Sequence, residues 1–414
     1  MPDQSYSAPG SGRAHRQLAI FGELLRSLAP AARREANFPA YLQHRLGRDK
    51  RFGSRDRRIY RALAYAAIRH LPWIEAAPAP LQPDLALWLA GDEPALAALR
   101  SELLAGWPAL PAAPADQAAL LSARLGHPLS TDQLFPVWLA AEAPAFTGPA
   151  RDTLLTRSPL WLRLQTEDPA AVDAWLQREG IPFRRHPLLP DARALLIEVD
   201  VARSALHDAG AFEVQDLGSQ LILALAAPAA GTRWLDACAG AGGKTLQLAR
   251  LLGPSGHVDA TDIRSAALAE LRARAARAGL TNIRTLAATP TAGALYDGVL
   301  VDAPCSGSGT WRRSPHLRWQ TTAADLHAQH ERQHAILSQN AAHVRPGGRL
   351  VYATCSLART ENEGTVAAFL AAHPDFRVIP PTESFGCVVG EFGTSILPHV
   401  HDTDAFFVSV LERR

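Results

Sequence analysis

The tract Asp236-Ala-Cys238-Ala239-Gly240-Ala241-Gly242-Gly243-Lys244-Thr245 directly follows a short apolar run, Arg233-Trp-Leu-Asp236, and opens a helical pattern reaching Leu252. A strand, a Gly-rich turn and a helix in that order begin a doubly wound α/β sheet. The glycines let the backbone approach a ligand closely, and the helix start presents unpaired amide donors. The turn is not a phosphate-binding loop, because G-A-G-G-K-T lacks the four-residue spacer before Gly-Lys-Thr. The next apolar run, Val258 to Asp262, ends in a carboxylate that can accept both ribose hydroxyls of a nucleoside. The pair points to a nucleoside cofactor, and S-adenosyl-L-methionine (SAM) fits it.

The alternation continues downstream. A helix is expected from Ser265 to Ala278, closed by Gly279, and a strand from Ile283 to Leu286. Gly298-Val-Leu-Val-Asp302 is nearly continuous in apolar residues, as a strand buried on both faces should be. A helix from about Ala324 to Val344 is closed by Pro346-Gly347-Gly348, then come strands at Arg349–Ala353 and Ala405–Leu411. Residues 213–414 therefore read as one Rossmann-like sheet domain.

Upstream the pattern changes. Residues 146–212 read as a small α/β unit: strands at Trp161–Leu164, Phe183–Arg185 and Leu195–Val199, and a helix at Pro169–Glu179. Its arginines (Arg157, Arg163, Arg184, Arg185) suit presentation of an RNA substrate, and a plain structural adapter reads equally well. Residues 17–145 are helical, interrupted by prolines at 78–80, 108–114 and 128. Within them Arg45–Arg61 is the most charged stretch. It fits either a phosphate backbone or a solvated helix entrance partly neutralised by Asp49 and Asp56. Residues 1–16 are polar, lack the apolar core of a signal peptide and are expected to be a disordered tail.

Composition narrows the class. Hydrophobic residues make up 47% of the 414-residue chain, which excludes disorder and implies more than one core. A net charge of +2 does not by itself argue for a nucleic acid. Lys50 and Lys244 are the only lysines among 42 basic residues, so the lysine retained in the Gly-rich turn stands out. Four cysteines without paired spacing make neither a disulfide framework nor a metal ligand set, and no apolar run is long enough to span a membrane. A monomer in the cytoplasm, without metal, is expected.

Two of those cysteines carry chemistry. Cys305 lies in Asp302-Ala-Pro-Cys-Ser-Gly-Ser-Gly-Thr310, after the fourth strand, and Cys355 in Thr354-Cys-Ser356, after the fifth. Adjacent strands would bring both thiols, with Asp302, to one wall at the carboxyl edge, where open α/β sheets bind ligands. An electron-poor pyrimidine is methylated at carbon 5 only after a nucleophile has added at carbon 6, and cysteine suits that attack. The bland alternative is a buried thiol in a tight turn. Cys238 reads as packing within the cofactor turn, and Cys387 has no assignable chemistry.

These segments together resemble the Sun/Fmu family of bacterial ribosomal RNA cytosine-5 methyltransferases. The matching segments are Asp216-Leu-Gly-Ser-Gln220, the Gly-rich turn, D-A-P-C-S-G-S-G-T with W-R-R-S-P-H-L-R-W, R-P-G-G-R-L-V-Y-A-T-C-S-L-A-R-T-E-N-E and D-T-D-A-F-F-V-S-V-L. The resemblance spans roughly residues 155–414. It implies a nucleophilic Cys355, product release assisted by Cys305, Asp302 at the ring's N3 and at the cofactor, and Lys244 orienting base or cofactor. The cofactor set is then Cys238, Ala239, Gly240, Ala241, Gly242, Gly243, Lys244, Asp262 and Asp302. It further implies that residues 17–145 are a diverged antitermination-factor-like RNA-binding domain. One feature departs from the family: Leu286-Ala-Ala288-Thr-Pro290 lacks the acidic residue that contacts adenine, which implies weaker SAM binding. Other readings are a transfer RNA substrate, a DNA cytosine methyltransferase (which needs no second thiol) and a non-catalytic RNA-binding assembly factor that keeps the fold.

Overall fold

The computed structural model describes residues 12–144, 146–291 and 293–414. The described residues divide into two compact units, one formed by residues 12–137 with Ser314–Thr321, the other by Trp138–Arg313 with Thr322–Arg414.

The first unit is helical. Its opening helix, Arg13–Arg34, buries Leu18, Phe21, Leu25, Leu28 and Ala32, a stripe at three- and four-residue spacing. The expected tail therefore ends earlier than residue 16: Arg13 to Arg16 are already helical, and the rest of it, residues 1–11, lies outside the described residues. The segment Ser314–Thr321 belongs to this unit rather than to the sheet domain expected for it. Its Arg318 is 1% exposed and donates to the carbonyls of Arg69 (3.1 Å) and Leu134 (3.2 Å), while Trp319 Nε1 donates to Ile68 O (2.7 Å). Buried polar groups of this kind persist only when hydrogen-bonded.

The second unit holds two sheets. The smaller is antiparallel: β1 (Leu160–Leu164), β2 (Phe183–Arg185), β3 (Ala192–Leu195) and β4 (Phe212–Val214), in the order β2-β3-β1-β4. Two expectations fail here. The strand expected at 195–199 lies at Ala192–Leu195, because the small Ala192 and Ala194 pack with Trp161 in the large core while Leu196 and Ile197 remain exposed. The expected domain boundary at 212/213 also cuts through β4, which pairs with β1.

The larger sheet contains β5 (Arg233–Asp236), β6 (His257–Ala260), β7 (Ile283–Thr285), β8 (Tyr296–Asp302), β9 (Val344–Thr354), β10 (Phe376–Val378), β11 (Val388–Val389), β12 (Thr394–Ile396) and β13 (Phe406–Arg413). The order is β11-β12-β13-β9-β8-β5-β6-β7, with β10 paired to β13. Strands β9, β8, β5, β6 and β7 are parallel, and β13 is antiparallel to β9. Side chains alternate between two cores: Trp234, Leu300 and Val351 enter one, Leu235, Val299, Val301, Leu350 and Tyr352 the other. Gly298 is required here, since a Cβ on it would lie 2.3 Å from the Trp234 indole. β9 begins at Val344 and takes in Pro346-Gly-Gly348, so that sequence does not cap the preceding helix, which ends at Ala341.

Strand order reverses between β5 and β8. Chain connections leave the sheet in opposite directions at that point, opening a crevice at the carboxyl ends. The Gly-rich turn follows β5, Asp302 ends β8 with Cys305 just after it, and Cys355 follows β9.

Candidate active site

The turn after β5 is shaped by backbone. Gly240 (φ 54°) and Gly242 (φ 92°) are left-handed, and a Cβ on Gly242 would lie 2.7 Å from Leu246 and 2.8 Å from Leu271. Asp236, 1% exposed, accepts from Thr245 Oγ1 (2.7 Å) and Cys238 N (3.3 Å), which fastens the turn to the helix Gly243–Leu252. Burial pushes its carboxyl up to about 7, against the Thr245 hydrogen bond and with help from Asp302. Burial likewise pushes the Cys238 thiol up to about 12, so it packs as an inert neutral group.

This cradle fits SAM. Gly240 N–H donates to Asp262 Oδ2 (2.8 Å), which fixes the carboxylate at the lip of the turn. Arg264 N–H also donates to Oδ1 (2.8 Å), and its exposed side chain gives the same carboxylate two further donors, Nε to Oδ1 (3.0 Å) and Nη2 to Oδ2 (3.2 Å). The two hydroxyls of a ribose can replace those donors one for one. Beside it Ile263 is 88% exposed, an apolar surface of the kind a flat base covers. Ala287 to Thr289, after β7, are exposed and carry no carboxylate.

The helix also delivers Lys244. Its side chain is about one-tenth exposed, lies 5.6 Å from the centre of the Phe406 ring and donates to Asp302 Oδ2 (2.8 Å) at the end of β8. The cofactor turn and the thiol loop are thus joined by one ion pair.

Cys305 and Cys355 meet, with their sulfurs 3.4 Å apart. The register of β8 on β9 brings the two loops together, and Gly309 seals them: its N–H donates to Cys355 O (2.9 Å) and its carbonyl accepts from Ala405 N (3.0 Å). A Cβ on Gly309 would lie 2.1 Å from Ala405 O. The shared hydrogen bond separates the thiols electrostatically. The Cys355 thiol is lowered, first by the bond from Cys305, with Arg313 and Lys244 assisting against burial and Asp302. Cys305 is raised well above the ordinary range by the same bond and by burial. The lowered thiol makes Cys355 the better placed of the two to act as a thiolate. Cys387 is buried in the core, where burial pushes it up to about 11.

Four residues escape a reading of the sequence. Glu361, fully buried, lies just before the helix that Asn362 caps and that begins at Glu363. Its carboxylate ties the two thiol loops. It accepts from Ser306 N (2.8 Å) and Ser306 Oγ (2.5 Å) beside Cys305, from Ser356 Oγ beside Cys355, and from Gln333 Nε2 (3.0 Å). Arg313 pairs with Asp404 (2.5 Å), and Asp216 accepts from Gly218 N (2.9 Å) and Thr403 Oγ1 (2.5 Å). These partners are up to 187 positions apart, a separation no local pattern reveals. The arginines of the small sheet are engaged internally: Arg157 with Glu198, Arg184 with Asp402, Arg185 with Asp173, and Arg163 with Gln165 and Gln215.

Residues 222–412 match the family model described as 16S rRNA methyltransferase RsmB/F. The ribosomal RNA small subunit methyltransferase B of Xylella fastidiosa is 33% identical over 86% of this chain and 92% of its own length. The chain belongs to this family. The methyltransferase B of Vibrio cholerae is 36% identical over 63% of this chain, which spans 60% of that relative. The crystal structure of PH0851, 20% identical, superposes with a TM-score of 0.72 over 98% of this chain and all of that one, a likeness of fold. Membership agrees with the Sun/Fmu resemblance and makes this family member a SAM-dependent RNA methyltransferase with a Rossmann-like sheet. Among the described residues no helix is long and apolar enough to cross a membrane.

Proposed function

We propose that the chain methylates cytosine at carbon 5 in small-subunit ribosomal RNA, through a covalent adduct with Cys355. The names of its relatives support the RNA. The observation that carries the chemistry is the thiol pair, 3.4 Å apart, beside the Lys244–Asp302 pair that reaches the cofactor turn.

The Cys355 thiolate adds to carbon 6 of the ring, and the electron pair of the 5,6 double bond is pushed toward the N3 side. Asp302, held by Lys244, positions the ring near its N3. Carbon 5 becomes nucleophilic and takes the methyl group, which SAM supplies from its sulfonium. Solvent water or another base takes the carbon-5 proton, the C–H electron pair re-forms the 5,6 double bond, and the Sγ–C6 bond breaks with its pair leaving on the Cys355 sulfur. Cys305, within hydrogen-bond reach of the departing sulfur, assists this last step by stabilising the thiolate that leaves. Cys238, Ala239, Gly240, Ala241, Gly242, Gly243, Lys244, Asp262 and Asp302 would hold the cofactor. The same reading has the protein act as a monomer in the cytoplasm, with residues 17–145 and the small sheet as RNA-handling parts.

Bisulfite sequencing of small-subunit ribosomal RNA, incubated with SAM and either the intact protein or Cys355→Ala, tests it. One cytosine is expected to become protected with the former only. Protection by the Cys355→Ala protein, or methylation at a position other than carbon 5, would overturn the mechanism.

A further inference from the structure

We propose that the helical unit carries a phosphate-backbone site for RNA in the groove between the helices Phe38–Arg48 and Ser54–Arg69. This rests on the reading that the substrate is RNA.

The groove, about 390 Å³ and open to solvent, is lined by Arg48, Arg57 and Arg61, with Gln43, His44 and Gly47 beside them. His44 and Arg48 share one helix face, as do Arg57 and Arg61 on the other helix, both pairs at four-residue spacing. The opposite faces are used for packing: Leu42, Ile59 and Leu63 are buried.

The two acids of the stretch do not neutralise this groove. Asp49 is taken by Arg51, Nε at 2.9 Å and Nη2 at 2.7 Å. Asp56 accepts from Gln17 (2.7 Å) and Gly53 N (3.2 Å), with Arg13 at 3.8 Å. Among the described residues Arg48, Arg57 and Arg61 make no ion pair, and Arg57 Nε is sealed from solvent without a hydrogen-bond partner. Three guanidinium groups converging on a cleft with no carboxylate form a fork-shaped donor set suited to phosphate oxygens. Lys50, Arg55 and Arg58 are exposed close by in the chain. That basic fringe and the open groove favour a polyanionic strand over a single enclosed anion. The contrast with the small sheet, whose arginines are paired internally, is direct.

The test uses the full-length protein, a small-subunit ribosomal RNA fragment and a salt titration of affinity. Removing three phosphate contacts in Arg48→Ala/Arg57→Ala/Arg61→Ala should shrink the slope of log K against log salt by about 2–3. Affinity near physiological salt should fall roughly ten- to hundredfold. KM for RNA should rise accordingly, with kcat and SAM affinity within about twofold of the parent. Replacing the same three by lysine should restore most of the slope. If the triple variant does not fold, Arg48→Ala/Arg61→Ala serves, with a slope change of about 1–2. An unchanged slope in a folded, SAM-binding variant would overturn the groove and leave the active-site reading standing. Displacement of the RNA by polyglutamate of equal charge would overturn it in favour of an acidic protein partner. Parent protein that neither binds nor methylates the RNA would overturn both readings.

Discussion

The cofactor turn after β5 and the thiol loops after β8 and β9 occupy the same edge of one sheet, yet they are built from different materials. The turn is made of backbone: left-handed glycines, a helix start and an amide aimed at Asp262. The thiol pair is made of side chains and held by a buried carboxylate that donates nothing and accepts four hydrogen bonds. A site of the first kind is damaged by adding a Cβ. A site of the second kind is damaged by removing a charge several residues from any sulfur.

The sharpest way to break the contrast is at sulfur itself. Cys355→Ala should lower kcat by on the order of 10⁴-fold or more while SAM affinity, measured by calorimetry, stays within about twofold. Retained turnover would mean that the thiol loops carry no covalent chemistry.

Glu361→Gln comes next. The amide keeps the volume but points an N–H₂ at donors, so the two loops lose their common anchor. A misplacement of about 1 Å can cost roughly a hundredfold in rate. A fall of that size in kcat, with KM for SAM unchanged, is expected, and Glu361→Asp should recover less than the parent's rate but more than the amide's. Equal losses in kcat and in SAM binding would show that Glu361 supports the whole sheet edge rather than the thiol pair.

Cys305→Ala should let a covalent protein–RNA adduct accumulate, visible as a slow band in denaturing gels. It also has a pH signature. Because Cys305 holds Cys355 below the ordinary thiol range, the thiolate forms as pH rises through a lowered midpoint. Without that bond the midpoint must move to higher pH, so the alkylation rate of Cys355 should rise later in an alkaline titration. A shift toward lower pH would overturn the assignment of Cys355 as the lowered thiol.

On the backbone side, Gly242→Ala forces a side chain into a left-handed conformation and against Leu246 and Leu271. Strain of this kind costs about 1–3 kcal/mol. SAM affinity should drop about tenfold, with Cys355 alkylation unchanged. The smallest effect is a gain: Ala288→Asp should tighten SAM binding several-fold by adding the missing acceptor after β7. An unchanged dissociation constant would show that this position does not face the cofactor.

Legibility follows from the same difference. Periodicity exposes the parallel strands, because Gly298–Asp302 and Arg233–Asp236 are apolar on both faces, and it exposes the glycine turn, because conformational freedom is a property of the residue itself. It misplaces β3, since Ala192 and Ala194 are buried by fit against Trp161 and not by hydrophobicity. It also misreads Pro346-Gly-Gly348 as a stop, although β9 runs through it.

By itself the sequence determined the chemistry available: two thiols, a lysine and carboxylates at the ends of strands whose alternation with helices builds the parallel part of a sheet. The tertiary structure alone decided which groups act together. It brought sulfurs 50 positions apart to 3.4 Å, made Glu361 their shared anchor, and spent Asp49 and Asp56 away from the three arginines of the helical groove. The reason is physical. Hydrophobic periodicity and glycine freedom are local, whereas a hydrogen bond between distant side chains exists only once strand order and burial have fixed both ends.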